Sequence, residues 1–265
     1  MNGMAECRNL LLLVLGLAAT TVFSAEYDRD NALDISQSAI GNQLGDYQLT
    51  DRFNRSVNLQ DYAGEPLLIS MIFTSCHHVC PTTTKNLDRA TRAAREILGE
   101  DSFEIVTIGF DTARDTTDAM RAFAREQNIH AEGWKFLSGS KETIEALSAD
   151  LGFQYFPSPR GFDHINQVTI IGRDNAVYRQ VYGISFELPW LVEPLKELVF
   201  NRPASQGHII ASLVDRVRLF CTVYNPATGR YEIDNSLFFQ IAIGFLVVVS
   251  GFVYLWRGFH QPRKS

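Results

Sequence analysis

Positive charge is short in this 265-residue chain: 24 Lys and Arg stand against 30 Asp and Glu, giving a net charge of -6 and a pI near 5.5. No basic stripe runs along it, which excludes a nucleic-acid-binding surface. No segment repeats, which excludes an array of repeated units. Cysteine is scarce, with only Cys7, Cys76, Cys80 and Cys221. The length suffices for one well-filled domain with accessory segments.

Charged side chains are missing altogether from two apolar stretches near the ends. Leu10 to Phe23 follows Arg8 and precedes Ser24 and Ala25. This pattern reads as a secretory signal peptide over residues 1–25, with an uncleaved N-terminal anchor as the alternative. Leu237 to Trp256 is twenty residues, and at about 1.5 Å per residue it matches a hydrocarbon core of roughly 30 Å. Tyr254 and Trp256 suit an interfacial belt. Arg257, Arg263 and Lys264 follow the stretch while Glu232 and Asp234 precede it, and excess Lys and Arg marks the cytoplasmic side. The expectation is a C-terminal transmembrane helix over 237–256 and a cytoplasmic tail over 257–265. The chain would then sit in the cell inner membrane, with its main domain on the periplasmic side.

Between the ends, residues 26–43 are polar and mixed, as in a flexible leader. Leu44–Leu49 and Ser56–Leu59 alternate around Asp51-Arg52-Phe53-Asn54, which predicts an N-terminal β-hairpin. Leu67–Phe73 is apolar on both faces, as in a central strand. A helix is predicted from Pro81 to the stop at Gly99. Phe103–Phe110 is a second buried strand, and capping residues then introduce helices near Thr116 and Ser140. Gly152–Phe162 is rich in aromatics, proline and glycine. Gln167–Ile171, a turn at Gly172–Asn175 and Ala176–Val181 form a second hairpin, before a helix over Leu188–Val199. A hairpin, βαβ-type crossovers, a hairpin and a final helix make an α/β chain in a thioredoxin-like order over 44–202. Beyond it, Ile209, Ile210, Leu213, Val214, Val217 and Phe220 form an amphipathic stripe within a helix-and-linker segment, 203–235. That stripe either docks on the domain or lies on a membrane.

The chemistry concentrates in Cys76-His77-His78-Val79-Cys80-Pro81, after the central strand. A helix N-terminus stabilises thiolate, and exported thiols tend to oxidise. The pair can therefore form a disulfide, exchange one, or bind a soft or borderline metal such as copper or zinc. A metal needs a third ligand. Of the six histidines, His164 precedes a strand that runs beside the cysteine strand in a thioredoxin-like sheet, so its loop faces the cysteine loop. His77 and His78 lie close by and are possible additional ligands. Cys221 is a buried thiol in the linker, half of an intermolecular disulfide, or a group that passes copper or electrons at the membrane surface.

CHHVCP after one strand, DTARDT after the next, and DHIN before a later one resemble the Sco/SenC family of copper-binding, thioredoxin-fold proteins. The usual pattern there is CxxxCP, an Asp-Pro-x-Arg-Asp-Thr loop and an Asp-His before a strand. The likeness covers about residues 40–200. It implies copper as the ion carried, Cys76, Cys80 and His164 as its ligands, and Asp163 and Asp111 behind them. It further implies a metallochaperone for cytochrome c oxidase, delivering copper to its dinuclear copper site or reducing that site's cysteines. Its partner would be the oxidase copper-binding subunit or another copper-handling protein. The chain departs from the pattern at His77 and His78, at Thr112 in place of proline, and in its expected C-terminal anchor. Two other readings use the same cysteines. One is a membrane-tethered thiol–disulfide oxidoreductase acting on oxidase or cytochrome assembly substrates. The other is a peroxiredoxin-type peroxidase, which leaves His164 and Cys80-Pro81 without a role.

Overall fold

The computed structural model describes residues 27–131, 133–200, 222–225, 230–233 and 243–252, with residues 239 and 256. The chain begins with helix α1 (Arg29–Ser38). Strands β1 (Gln48–Asp51) and β2 (Ser56–Asn58) form the predicted hairpin, in register Leu49 to Val57. After a 3-10 turn come β3 (Leu67–Ile72), helix α2 (Val79–Leu98) and β4 (Glu104–Gly109). Helix α3 (Thr117–Glu126), β5 (Trp134–Ser138) and α4 (Lys141–Asp150) follow. A small hairpin, β6 (Tyr155–Ser158) and β7 (Gly161–His164), precedes β8 (Gln167–Ile171), β9 (Val177–Tyr182) and α5 (Leu188–Phe200). Strands β10 (Thr222–Asn225) and β11 (Arg230–Ile233) pair with each other.

Seven strands make one sheet in the order β2-β1-β5-β4-β3-β8-β9. The centre, β3, β4 and β5, is parallel, and β8 returns antiparallel beside β3. Every residue of β3 is buried, from Leu67 to Ile72. Such a strand has paired neighbours on both edges and packed side chains on both faces, so it carries no polar alternation. Thr116 and Ser140 cap α3 and α4 by accepting from the backbone N–H of Ala119 and Thr143, which satisfies donors the helix itself leaves open.

The structure corrects three expectations. Residues 26–43 are not simply a flexible leader, because α1 occupies Arg29–Ser38 and packs Ala32 and Ser36 inward. Asp28 caps it. The helix after the cysteines starts at Val79, so Cys80 lies in its first turn and Pro81 is its third residue. Proline fits there because the first turn has no partner for its missing N–H. The C-terminal transmembrane helix is also overturned, since no helix among the described residues is long and apolar enough to cross a membrane. The expected signal peptide (1–25), the amphipathic stripe within 203–220, the tail (257–265), Cys7 and Cys221 lie outside the described residues.

Candidate metal centre

The site lies where β3 gives way to α2. The chain turns sharply after Ile72, with Cys76 N–H donating to Phe73 O at 3.1 Å. The first turn of α2 aims its free amides back into this turn. Cys80 N–H donates to Cys76 Sγ at 3.3 Å, and the His78 and Val79 amides also point at that sulfur. The hydrogen bond from the Cys80 thiol is the largest effect, and with these amides it draws Cys76 down to about 5, outweighing its partial burial. At neutral pH Cys76 is a thiolate. The same hydrogen bond, together with deep burial, pushes Cys80 far above the ordinary thiol range. The pair is unequal: one accessible nucleophile and one buried proton donor. Both are free thiols, with no disulfide between them.

His164 ends β7, on a hairpin that forms its own two-stranded sheet. Its ring stands edge-on to Phe110 at 5.3 Å and to Phe73 at 6.1 Å between centroids, with Phe153 at 5.4 Å. This aromatic wall removes water, and burial lowers the pKa of His164 against the opposing pull of its Ile165 contact and the Cys76 thiolate. The ring is therefore neutral at neutral pH. Nδ1 lies 2.9 Å from the Ile165 carbonyl. A carbonyl only accepts, so Nδ1 carries the proton and Nε2 keeps its lone pair. Gly161 makes the hairpin possible. Its φ is +113°, and a Cβ there would meet Phe73 Cε2 at 2.7 Å.

One cleft of about 620 Å³ joins the two halves; its lining includes Cys76, His77, His78, Asp163 and His164. The fold thus brings most of the sequence-predicted residues to one opening, with Cys80 just behind, bonded to Cys76. Asp111 is not among the residues lining it. Among the described residues, no group of three or more His, Cys, Asp or Glu side chains is arranged to hold a metal ion as it stands. The donor set fits a soft cation in chemistry, two sulfurs and one neutral imidazole nitrogen, and closing it around an ion requires side-chain movement.

Asp115, in the DTARDT loop, takes a role that the motif alone does not define. It is 2 % exposed. Oδ1 accepts from Thr74 N–H at 2.8 Å and Thr74 Oγ1 at 2.7 Å, and Oδ2 accepts from Asp111 N–H at 2.9 Å. One carboxylate thereby ties the loop after β4 to the turn that carries Cys76. Burial raises its pKa against those three hydrogen bonds. Gly109 leaves room for it, since a Cβ there would lie 2.4 Å from Asp115 Cβ. The Asp of the DTARDT motif was visible in the sequence, but its partner Thr74, 41 residues away, was not.

Comparison with known proteins places these features in a lineage. The SCO1/SenC family model matches residues 36–193. The SCO1 protein homolog of Bacillus subtilis is 25% identical over 135 residues, covering 49% of this chain and 68% of the relative. Two solved structures share the fold. BsSco, a member of the Sco family of cytochrome c oxidase assembly proteins, has a TM-score of 0.53 at 20% identity over 61% of this chain and 95% of that chain. Arabidopsis thaliana ScoI with copper bound has a TM-score of 0.52 at 19% identity over 60% of this chain and 99% of that chain.

Proposed function

The chain belongs to the SCO1/SenC family, and on that premise we propose that it is a copper carrier serving cytochrome c oxidase assembly, with Cys76, Cys80 and His164 as the ligands. The observation that carries this reading is the pairing of a Cys76 thiolate with a neutral His164 across one cleft. Thiolate and imidazole together suit copper in either common oxidation state. The ion is cargo here. Cys76 is already deprotonated, and Cys80 gives up its proton as sulfur bonds to copper, so loading releases about one proton from the pair. His164 presents Nε2 without losing a proton, because Nδ1–H stays on the Ile165 carbonyl. Asp163 borders the cleft and adds negative charge beside the ion. The recipient is the oxidase copper-binding subunit or another copper-handling protein, met on the exported side of a membrane.

The test is copper stoichiometry on the reduced full-length protein. Wild type binds about one copper tightly. Cys76→Ser, Cys80→Ser and His164→Ala each abolish tight binding, and retention of tight binding in all three ends the proposal.

The unequal thiols favour a second reading, a thiol–disulfide oxidoreductase. Cys76 would attack a substrate disulfide, forming a mixed disulfide and expelling a substrate thiolate. Cys80 would then release the second substrate thiol as the Cys76–Cys80 disulfide forms. Under this reading His164→Ala leaves disulfide exchange intact, and Cys80→Ser traps the mixed disulfide.

A further inference from the structure

His77 and His78 hold the rim of the same cleft, and neither is used by the fold. Both are exposed, and both line the opening with Cys76 and His164. The backbone of His78 is committed: its amide points at Cys76 Sγ, and its carbonyl accepts from Thr82 N–H at 3.2 Å and Thr82 Oγ1 at 2.7 Å. Its side chain is not. His78 sits at the cap position of α2 but makes no side-chain cap bond. Among the described residues, neither imidazole takes part in any hydrogen bond, ion pair or ring contact. Two adjacent imidazoles with no structural duty, held at the mouth of a thiolate site, form a nitrogen-donor pair that faces solvent. Asp163 lines the same cleft, and its carboxylate lowers the cost of bringing a cation into it.

We propose that His77 and His78 form a second metal site, distinct from the Cys76–Cys80–His164 set, that captures copper(II) from solvent at the rim of the cleft. Imidazole nitrogen suits copper(II), which heads the divalent series in affinity for such donors. Water fills the remaining positions, so the ion is held more weakly here than at the thiolates. A weak outer site beside a tight inner one passes its ion inward by ligand exchange: a nitrogen–copper bond breaks as a sulfur–copper bond forms. No electron moves in that step, and the thiol proton of Cys80 leaves to solvent. The inference rests on the copper-carrier reading for its inner site, but the outer site stands on its own residues.

The experiment uses the full-length chain and copper(II) chloride followed by electron paramagnetic resonance. In Cys76→Ser/Cys80→Ser the thiolate site is gone, and the protein should still bind one copper(II) with nitrogen hyperfine splitting. Adding His77→Ala/His78→Ala should remove that signal. A double-serine variant that binds no copper(II), or one whose signal survives loss of both rim histidines, overturns the outer site and leaves the copper-carrier reading untouched. A wild type without thiolate-to-copper absorption, alongside a double-serine variant that binds copper(II), ends the copper-carrier reading while the outer site stands. With the cysteines intact, His77→Ala/His78→Ala should reach the same final thiolate-to-copper absorption but at least tenfold more slowly on stopped-flow mixing; an unchanged rate overturns the capture role. Unchanged thermal unfolding of the apo variants shows that the fold is not the cause.

Discussion

Cys80 is hydrogen-bonded to Cys76 at its own backbone amide, 3.3 Å from the sulfur, so the second cysteine of the pair helps ionise the first. The arrangement follows from starting α2 at Val79, which places the Cys80 amide among the unpartnered donors of the first turn. With the thiol bond and the neighbouring amides added, Cys76 falls to about 5. Iodoacetamide should therefore modify Cys76 in the reduced protein with a half-point near that pH, whereas Cys80 stays unmodified up to pH 9. The linked stability has a definite sign. A thiol with a depressed folded pKa contributes nothing below it and its full amount above the ordinary thiol value of about 8.5. The reduced wild type should gain stability over Cys76→Ala as pH rises between those limits. Mass spectrometry of the alkylated protein and urea unfolding at pH 5 and 8 check both outcomes. A half-point near pH 8.5 would show that the helix amides do not act on the sulfur.

His164 acts on stability in the same sense as Cys76, over a lower pH range. Its folded pKa is depressed by burial, so the unfolded chain takes up a proton first as pH falls. The stability it contributes is complete above the ordinary imidazole value of about 6.5 and is lost as pH drops through the lower folded value. His164→Gln keeps a donor for the Ile165 carbonyl but cannot titrate. The stability difference between wild type and His164→Gln should be constant from pH 7 to 8 and shift against wild type below 6. A pH-independent difference would mean that the ring is not held neutral by its aromatic wall.

Asp115 and Gly109 should behave as one unit. Removing the carboxylate strands Thr74 N–H, Thr74 Oγ1 and Asp111 N–H, and an unsatisfied buried donor costs about 1–3 kcal/mol. Asp115→Ala should therefore lose about 3 kcal/mol in denaturant unfolding. Gly109→Ala should also destabilise, because its Cβ would meet Asp115 Cβ at 2.4 Å. The clash at Gly109→Ala displaces Asp115 from these same hydrogen bonds, so the double variant should cost less than the sum of the two. Full additivity would separate the two positions.

Local patterns made the main sheet legible. Leu67–Ile72 had only one reading consistent with six apolar or small side chains in a row, and β8 runs over Gln167–Ile171 as its apolar run predicts. The cysteines, His164 and the rim histidines declared themselves by residue type. What escaped depended on distance in the chain. Asp115 acts through Thr74, and α1 has too few apolar residues to announce a docking face. The hairpin β6–β7 hides in Gly152–Phe162 because its Tyr155 and Phe162 pack on Phe110 and on each other rather than alternate across a sheet. The C-terminal reading rested on composition alone, and no helix among the described residues is long and apolar enough to cross a membrane.

Helix α1 is fastened to the domain by polar groups, and that attachment is open to test. Ser36 Oγ donates to Gln167 Oε1 at 2.8 Å and lies 2.9 Å from Tyr182 OH. Gln167 in turn reaches the Leu151 carbonyl and Thr169, and Gln180 joins the same buried layer. Gln167 also lies three residues beyond His164, so this layer anchors the strand that leaves the site. Ser36→Ala deprives Gln167 Oε1 of its donor in a buried setting, and such a loss costs about 1–3 kcal/mol. Ser36→Ala should lower stability by about 1–2 kcal/mol and raise amide hydrogen exchange along Arg29–Ser38. Among the described residues, exposed Ser38 donates only to the Ile35 carbonyl of its own helix, so Ser38→Ala should change neither quantity measurably. Equal effects of the two substitutions would return α1 to the status of a leader that the domain does not need. A selective effect of Ser36→Ala makes the polar layer the reason these residues fold against the sheet, where apolar burial alone gives them little to hold.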